Sequence, residues 1–359
     1  MQKYLLVLNA GSSSLKFAAF DASTLAEILR GQISGMGLAP RLEADGEVRK
    51  LAADTGFAEG LALLMQWLAH KGLNPDSLAG IGHRVVHGGT QYVQPTLVDD
   101  ATLTELEKLR ALAPLHLPFG LSVLRVTLKM HPLLRHVACF DTAFHATQPE
   151  LATRLPLPRA YFDKGYRRYG FHGLNYEHVV EVLRSQGLPR RLIAAHLGSG
   201  ASMCAILDGK SVATTMGFST ADGLVMGTRT GSIDPGVLVA LLRDEKLSLD
   251  ALEDLLYRKS GLLGLSGISP DMRVLLASEK LEAKEAVDYY CYSAARHAAS
   301  LVTALNGIDA IVFTGGVGEN AAAVRDNILK HLQWLNIAAV HVVPANEERT
   351  MARHVKSLL

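Results

Sequence analysis

The chain has 359 residues, of which 48% are hydrophobic, and its 36 basic and 35 acidic residues give a formal net charge of +1. This length exceeds what one ordinary domain needs, so we expect two domains with separate hydrophobic cores. The balanced charge offers no overall field that would attract nucleic acid or an anionic membrane, and we expect neither as a partner.

Three widely separated cysteines, Cys139, Cys204 and Cys291, fit neither a disulfide framework nor a zinc site. The first apolar run is too short for the core of a signal peptide, and no later stretch is long enough to cross a bilayer. These features predict a soluble cytoplasmic protein.

Strand-like and helix-like segments alternate along the chain, which predicts an α/β protein. Residues 5–23, LLVLNAGSSSLKFAAFDAS, are expected to form two strands joined by a turn of Gly and Ser. Two helices are predicted to follow, at residues 57–72 and 102–114. The spacing of Thr102 and Glu105 is that of a capping box, which predicts that the second helix begins at Thr102.

The second half of the chain repeats the first hairpin. Residues 193–211, IAAHLGSGASMCAILDGKS, again read as strand, Gly/Ser turn, strand and polar turn. Either two glycine hairpins resemble each other by chance, or the protein consists of two related α/β halves. The second interpretation places the domains at residues 1–146 and 147–345, with a C-terminal helix at 346–359 that packs back on the first domain.

Further elements of the second half are predicted from their apolar spacing and end signals. Helices are expected at residues 175–187 and 282–305, and a buried strand that leads into a glycine turn at residues 309–316. Asp234 and Pro235 are typical of the cap and first position of another helix.

Three turns rich in glycine follow apolar strands, at residues 10–14, 196–202 and 314–322. Small residues in such turns expose backbone N–H groups and hydroxyls that suit phosphate oxygens, and Lys16 adds a positive charge beside the first turn. The Walker A pattern is absent from the first turn, so a P-loop fold is not supported. The third turn ends at Asn320 before an alanine-rich helix, whose N-terminus is expected to face a ligand.

Four ionisable residues lie in apolar or glycine-rich surroundings. Arg84, in the strand-like GHRVVHGG, requires an anion, and Asp141 ends the apolar strand HVACF, where an α/β protein places either a functional carboxylate or a turn cap. His172 and Arg229 lie beside glycines in RRYGFHGLN and MGTRTGSIDPG. Together with the three glycine turns, these residues predict a site that transfers a phosphoryl group.

His83 and His87 are separated by four positions, which on a helix would suggest a pair of metal ligands. The valines between them and the glycines beside them favour a strand instead. We therefore interpret both histidines as structural.

Nine segments in a fixed order resemble the acetate kinase family: NAGSSSLKF, GHRVVHGG, APLH, FDTAFH, YGFHG, HLG.GAS, MGTR.G, SGLLG.SG.S.DMR and FT.G.GEN. The resemblance extends nearly from end to end. It implies two duplicated ribonuclease-H-like domains of the sugar kinase, Hsp70 and actin superfamily, with a catalytic cleft between them. It also implies a homodimer that transfers a phosphoryl group reversibly and directly between ATP and acetate, giving acetyl phosphate and ADP. The reaction would require Mg²⁺, for which Mn²⁺ could substitute.

The resemblance also implies roles for individual residues. Catalytic residues would be Arg84, Asp141, His172 and Arg229, and the acetate pocket would be lined by Arg84, Val86, Leu115, Phe171 and Thr220. Asn9 and Glu347 would help to hold the metal. The nucleotide would contact Ser12, Lys16, His196, Leu197, Gly198, Ser199, Gly200, Asp271, Met272, Arg273, Gly316, Val317, Gly318, Glu319 and Asn320.

Chemistry refines these roles. A carboxylic acid with a pKa of about 4–5 is already ionised at neutral pH, so the acceptor needs no general base. The main barrier is repulsion between two anions, which the basic residues and the metal would reduce. We therefore assign Asp141 to organising the metal and its waters rather than to proton transfer.

Four positions depart from the family pattern. Leu117 and Ser199 stand where the family usually has Asn, Ser232 where it has Asp and Thr220 where it has Pro, and the chain is shorter than the roughly 400 residues usual in the family. Thr220 leaves propionate or another short-chain acid open as the substrate. Two other classes of function remain. A non-catalytic nucleotide-binding module would not need the four ionisable residues. An assembly protein would need an interaction surface, but the chain shows no repeat or charge run that would indicate one.

Overall fold

A computed structural model describes residues 3–11, 13–114 and 116–359. The predicted site residues Ser12 and Leu115 lie outside these described residues. The chain divides into two compact units, of which the first comprises Met1–Ala143 with Asn346–Leu359 and the second comprises Phe144–Ala345.

The described strands form two sheets. The first sheet contains β1 Tyr4–Ala10, β2 Ser14–Asp21, β3 Glu27–Ser34, β4 Arg41–Ala44, β5 Glu47–Lys50, β6 Leu78–Val85, β7 Thr96–Leu97 and β8 Arg135–Phe140. The second sheet contains β9 Arg191–Leu197, β10 Ala201–Leu207, β11 Lys210–Thr214, β12 Ala310–Thr314 and β13 Ala339–Val342.

The helices of the described residues vary from one turn to seven turns in length. They are α1 Phe57–His70, α2 Asp100–Lys108, α3 Leu117–Met130, α4 Glu150–Thr153, α5 Arg159–Asp163, α6 Gly173–Arg184, α7 Pro235–Arg243, α8 Leu249–Arg258, α9 Gly261–Ser266, α10 Met272–Leu276, α11 Leu281–Leu305, α12 Gly315–Asn320, α13 Ala322–His331 and α14 Glu347–Ser357. Short 3₁₀ turns occur at Pro75–Ser77, Leu109–Leu112, Ala143–Thr147 and Gln333–Leu335.

The two sheets share a core of five strands, in which β3-β2-β1-β6-β8 corresponds to β11-β10-β9-β12-β13. In the first, the order is β5-β4-β3-β2-β1-β6-β8-β7, and in the second it is β11-β10-β9-β12-β13. In each sheet a strand pairs antiparallel with the next strand of its hairpin and parallel with a later strand, β1 with β6 and β9 with β12. The predicted hairpin echo therefore reflects a real repeat of topology, and the predicted α/β class is confirmed.

The C-terminal helix α14 completes the first unit. Its residues Met351 and Val355 are fully buried, and it packs against β1 and β6. Gly80 and Gly82 make this close approach possible, because a Cβ atom on Gly82 would lie only 2.8 Å from the Val355 side chain. The first and last segments of the chain thus share one hydrophobic core.

Most helix predictions are confirmed within a few residues, but two details are wrong. The cap of α2 is Asp99, whose side chain accepts a hydrogen bond from the Thr102 N–H, so Thr102 lies inside the helix and the capping box does not form. The predicted third glycine turn is instead the helix α12. The next helix, α13, follows it directly, so its N-terminus is not the end of an open loop.

His83 and His136 support the structural interpretation of the GHRVVHGG histidines. His83 lies on β6 and is fully buried, with its Nε2 atom 3.1 Å from Nδ1 of His136. Burial lowers the pKa of both imidazoles, so the core favours their neutral forms. His87 is also buried, and its pKa is lowered to about 4 for the same reason.

Candidate active site

In the first unit, three polar side chains lie where neighbouring parallel strands end. Asn9 is near the end of β1, Arg84 is near the end of β6, and Asp141 directly follows β8. The carboxyl ends of parallel strands meet at one edge of a sheet, which is where α/β proteins bind ligands. Glu347, the first residue of α14, joins this edge because Asn9 Nδ2 donates to Glu347 Oε2 at 3.4 Å.

Arg84 is the centre of this cluster. Its Nε and Nη2 atoms donate to the two carboxylate oxygens of Asp141 at 2.9 and 2.5 Å, and its Nη1 atom donates to Asn9 Oδ1 at 3.1 Å. Glu347 Oε2 is 3.7 Å from Nε. The anion that Arg84 requires in an apolar strand is thus supplied within the chain by Asp141, whose side chain is only 1% exposed.

The oxygen atoms of this cluster suit Mg²⁺. Asn9, Asp141 and Glu347 present an amide and two carboxylates, which are the hard donors that Mg²⁺ prefers. Burial raises the pKa of Glu347 to about 7, an effect that Arg84 partly offsets and Asp141 increases. No three His, Cys, Asp or Glu side chains cluster for metal binding within the described ranges, so Mg²⁺ would also need phosphate oxygens and water.

In the second unit, two histidines stack at the ends of α6 and β9. The rings of His172 and His196 have centroids 4.2 Å apart and are 20° from parallel. His172 Nδ1 is 2.8 Å from Ser202 Oγ on β10, and Ser202 Oγ is 2.5 Å from the Tyr176 hydroxyl. Asn175 Nδ2 lies 2.9 Å from His196 Nδ1. A polar side chain therefore fixes the orientation of each imidazole.

The turn between β9 and β10 lies beside this histidine pair. A Cβ atom added at Gly200 would lie 3.4 Å from His172 Nε2 and 3.6 Å from Arg229 Nη1. The imidazole and guanidinium groups therefore converge on a position where the chain carries no side chain. Both groups are partly exposed, so a ligand beside this turn would meet an imidazole nitrogen and a guanidinium donor.

The loop that carries Arg229 is fixed by the start of α9. Backbone N–H groups of Ser260, Leu262 and Leu263 donate to carbonyls of the 226–228 segment at 2.9–3.0 Å. Gly261 has a φ of 63°, and a Cβ atom there would lie 2.2 Å from the Met226 carbonyl oxygen and 2.8 Å from that of Arg229. Only glycine accommodates both this conformation and this contact.

Thr220 and Ser232 lie near the Arg229 loop. Arg229 Nη1 donates to the backbone carbonyl of Thr220 at 3.1 Å, and Thr220 itself is buried. Ser232 Oγ donates to Asp222 at 2.8 Å, and Asp222 also pairs with Arg168 at 3.1 Å. Ser232, which stands where the family usually has Asp, therefore supports the conformation of this loop.

The residues predicted to contact nucleotide are found in helices as well as loops. Gly316, Val317, Gly318, Glu319 and Asn320 all belong to α12. Glu319 Oε1 accepts a hydrogen bond from the Ala345 N–H at 2.9 Å. Asp271 caps the short helix α10, which contains Met272, and pairs on the surface with Arg273 at 2.6 Å.

The predicted site residues divide between the two units. The first unit contains Asn9, Arg84, Asp141 and Glu347, with Lys16 exposed on β2 directly opposite Asn9. The second unit contains the other described site residues except Val86, which belongs to the first unit. Phe171 is buried in the second unit.

A model of the Acetokinase family matches residues 4–356 of this chain. The chain belongs to the Acetokinase family. It is 42% identical to an acetate kinase from Rhodopseudomonas palustris (strain TIE-1) over 391 aligned positions, which cover 99% of this chain and 98% of the relative. The family membership inferred from the nine sequence segments is thus confirmed.

Two solved structures of similar proteins agree with this assignment. A propionate kinase from Francisella tularensis is 33% identical with a TM-score of 0.94, and the match covers 99% of this chain and 100% of that one. An acetate kinase from Porphyromonas gingivalis is 31% identical with a TM-score of 0.90, and 99% of each chain is covered. This chain therefore has the duplicated ribonuclease-H-like fold of its Acetokinase relatives.

Sequence patterns did not indicate four residues that support the candidate site. Asn175 and Tyr176 follow His172 in the sequence, Ser202 lies in the second hairpin, and Gly261 opens α9. Ser202 and Gly261 lie inside segments that carry the resemblance, HLG.GAS and SGLLG. Nothing in the spacing alone indicates which distant side chain or carbonyl each residue contacts.

No helix of the described ranges combines the length and the apolar character needed to span a membrane.

Proposed function

We propose that this protein transfers a phosphoryl group reversibly between ATP and a short-chain carboxylate, with acetate as the preferred acid. The convergence of His172 Nε2 and Arg229 Nη1 on the Gly200 turn, in a chain of the Acetokinase family, carries this proposal. A transferring phosphoryl group spreads negative charge over its three equatorial oxygens. Two adjacent nitrogen donors stabilise that charge more in the transition state than in the substrate.

The substrate carboxylate is the nucleophile. Because it is ionised at neutral pH, no residue has to remove a proton, and direct in-line transfer needs no phosphoenzyme. Arg84 binds this carboxylate in the proposal, with Asp141 and Asn9 holding the guanidinium in a fixed orientation. The residues that the family resemblance assigns to the alkyl pocket are Val86, Leu115, Phe171 and Thr220.

Asn9, Asp141 and Glu347 would hold Mg²⁺, for which Mn²⁺ could substitute. The metal would neutralise charge on the nucleotide phosphates and so reduce repulsion between the two reactants. Lys16, opposite Asn9 in the β1–β2 hairpin, would contact the phosphates directly. The β9–β10 turn, α12 and the Asp271–Arg273 segment would hold the rest of the nucleotide.

Propionate is the second candidate substrate, because one similar solved structure is a propionate kinase. One extra methylene in a pocket changes binding by only about 1–3 kcal/mol, so a single pocket residue can change the order of preference. Thr220, whose carbonyl accepts a hydrogen bond from Arg229, stands where the family usually has Pro and is our candidate for that residue.

The test is formation of acyl phosphate, trapped as hydroxamate, from Mg-ATP with acetate, propionate or butyrate. We expect the highest kcat/KM with acetate and loss of activity in Arg229→Ala. Arg190→Ala serves as the matched control, because it removes an exposed arginine that pairs with Asp208 at the surface of the second unit, and it should retain full activity. Absence of activity with every acid and nucleoside triphosphate would favour the non-catalytic nucleotide-binding module.

We also propose that the active form is a homodimer that associates through α7. Six of the nine residues of this helix are Val, Leu or Ala, yet none is buried, and Val237 and Val239 are 44% and 54% exposed. Ile233, two residues before the helix, is also exposed and lines a surface cavity of 430 Å³ together with the exposed residues Leu265 and Tyr289. Exposed apolar residues of this kind are typical of the interface between two identical chains.

Sedimentation at micromolar concentration tests the dimer. Val239→Glu should give a monomer, because the new carboxylate would be buried without a partner in the interface. Leu151→Glu changes a more exposed leucine on α4 and should leave the mass unchanged. A wild-type monomer would contradict the proposal.

The cytoplasmic location remains a prediction, and it agrees with three buried thiols that form no disulfide.

A further inference from the structure

We propose that Tyr176 and Ser202 are positioning residues that hold His172 as its neutral tautomer, with the proton on Nε2. The two residues form a hydrogen-bond chain that ends at His172 Nδ1. This inference rests on the role proposed above for His172, and it concerns how that imidazole becomes a donor rather than whether the reaction occurs.

The chain of hydrogen bonds begins at a buried phenol. Tyr176 is fully buried, and its hydroxyl lies 2.5 Å from Ser202 Oγ. Burial raises the pKa of Tyr176 well above its ordinary value, so the phenol keeps its proton. A backbone hydrogen bond from His196 also reaches the phenol oxygen. The phenol therefore donates its proton toward Ser202.

The direction of the second hydrogen bond follows from the first. Ser202 Oγ accepts the proton of Tyr176, and its single hydroxyl hydrogen is then directed at His172 Nδ1, 2.8 Å away. A nitrogen that accepts a hydrogen bond carries no proton of its own. In the neutral imidazole the remaining proton must then lie on Nε2.

The position of Nε2 explains how this tautomer would help to bind an anion. Nε2 lies next to Gly200, on the same side as Arg229 Nη1. With the proton on Nε2, the imidazole and the guanidinium both present N–H donors to an anion beside the turn. With the proton on Nδ1, Nε2 would present a lone pair and repel the same anion.

Local backbone geometry supports the same orientation. His172 has a φ of 59°, in the left-handed region, which costs about 1–3 kcal/mol for a residue other than glycine. Its carbonyl accepts hydrogen bonds from the N–H groups of Asn175 and Tyr176 at 3.0 and 3.1 Å. The first turn of α6 thus fixes the His172 backbone and the Tyr176 side chain together.

The first experiment is nitrogen NMR of the histidine side chains in the full-length protein at neutral pH. Selective ¹⁵N labelling and long-range proton correlation distinguish the two tautomers, and His172→Gln identifies the His172 signals. We expect His172 to be the Nε2–H form in the wild type, and Ser202→Ala to show a measurable fraction of the Nδ1–H form. An Nδ1–H wild type, or an unchanged tautomer in Ser202→Ala, would overturn the proposal.

The second experiment compares two tyrosine variants of the second unit. Tyr176→Phe removes the first donor of the chain, whereas Tyr290→Phe removes a buried hydroxyl that contacts no hydrogen-bond partner among the described residues. We expect Tyr176→Phe to lower kcat at least about threefold with little change in either KM, and Tyr290→Phe to leave kcat unchanged. Equal kcat in both variants would contradict the proposal.

The two experiments separate this inference from the proposed reaction. The NMR measurement does not depend on turnover, so it reads the tautomer even if the protein phosphorylates none of the acids tested. If Ser202→Ala does not fold, Tyr176→Phe provides the same tautomer measurement with a smaller change in volume. If the tautomer is Nε2–H but the protein has no kinase activity, the positioning role of Tyr176 and Ser202 stands and the proposed function is rejected.

Discussion

At the scale of single residues, the pairing of Arg84 with Asp141 is the main electrostatic feature of the first unit. An arginine within a strand of a buried sheet would be costly without an anion, and Asp141 meets that need with two hydrogen bonds. The same arginine keeps an exposed fraction of 21%, which leaves part of its guanidinium accessible to a substrate. One residue therefore has both a structural and a proposed binding role.

Removal of Arg84 should affect stability and binding separately. Arg84→Ala leaves Asp141 buried without its partner, so we expect the free energy of unfolding to fall by about 2–3 kcal/mol and KM for the carboxylate to rise. Adding Asp141→Asn should recover much of the stability without restoring KM. Urea unfolding and steady-state kinetics measure the two effects.

A matched control is Arg110→Ala, which removes an exposed arginine that pairs with Glu107 one turn away. Its cost should be below about 0.5 kcal/mol. An unchanged carboxylate KM in Arg84→Ala would contradict the binding role, whatever the effect on stability.

The buried histidine pair on β6 and β8 predicts a loss of stability in acid. Burial lowers the pKa of His83 and His136 in the folded state, so between pH 7 and pH 5.5 the unfolded chain binds protons that the folded chain does not. Stability is therefore present above the ordinary imidazole pKa and decreases as pH falls, by up to about 1.4 kcal/mol per pH unit for each histidine. Urea unfolding at several pH values measures the slope.

His83→Gln should reduce this slope, because it removes one of the buried imidazoles whose pKa is lowered in the folded state. His70→Gln removes an exposed histidine from α1 and should retain the wild-type slope. Equal slopes in wild type and His83→Gln would show that this pair does not control the acid response.

At the scale of elements, the short helix α9 orients the loop of Arg229. Its first N–H groups bind the carbonyls of that loop, and Gly261 allows the two backbones to touch. The helix has only six residues, so its influence comes from this contact rather than from its own stability. Element packing therefore determines where the guanidinium lies.

Gly261→Ala should lower kcat by at least about tenfold, because the added methyl group would displace the backbone of Arg229. The control is Gly267→Ala at the other end of the same helix, where φ is 62° but no atom lies within 4 Å of the added Cβ. That control should cost about 1–2 kcal/mol of stability through backbone strain and leave kcat unchanged. A similar kcat in the two variants would show that the close contact does not position Arg229.

At the scale of the whole molecule, the sheets of the two units share the order of five strands, and the chain returns at its end to the unit in which it began. The helix α14 contributes Glu347 to the strand-end cluster and a buried face to the core. The first unit is therefore incomplete until the last residues of the chain have been added.

Met351→Ala tests this dependence. Met351 is fully buried between α14 and the sheet, so its truncation should lower the free energy of unfolding by about 2–4 kcal/mol. Met130→Ala at the exposed end of α3 should cost less than about 1 kcal/mol. Chemical unfolding compares the two, and equal costs would mean that α14 adds little to the core of the first unit.

Local signals in the sequence were sufficient for most elements. The hairpins, the long helix α11 with its end at Asn306, and the start of α7 at Asp234 and Pro235 follow from apolar spacing, glycine and proline. Local signals gave the wrong prediction where one segment fitted two kinds of structure. A run such as TGGVGEN is rich in glycine and predicts a turn, but its position after the buried strand β12 allows a helical turn instead.

By itself, the sequence determined the α/β class, the repeated hairpin, the family and the residue types of the site, because these depend on periodicity and on motifs in fixed order. Only the tertiary structure decided that Asp141 binds Arg84, that Tyr176 and Ser202 reach His172, and that Gly261 contacts the Arg229 loop. Those contacts join residues from different elements, and several join residues far apart in the chain. They depend on sheet register and helix packing, which no local pattern specifies.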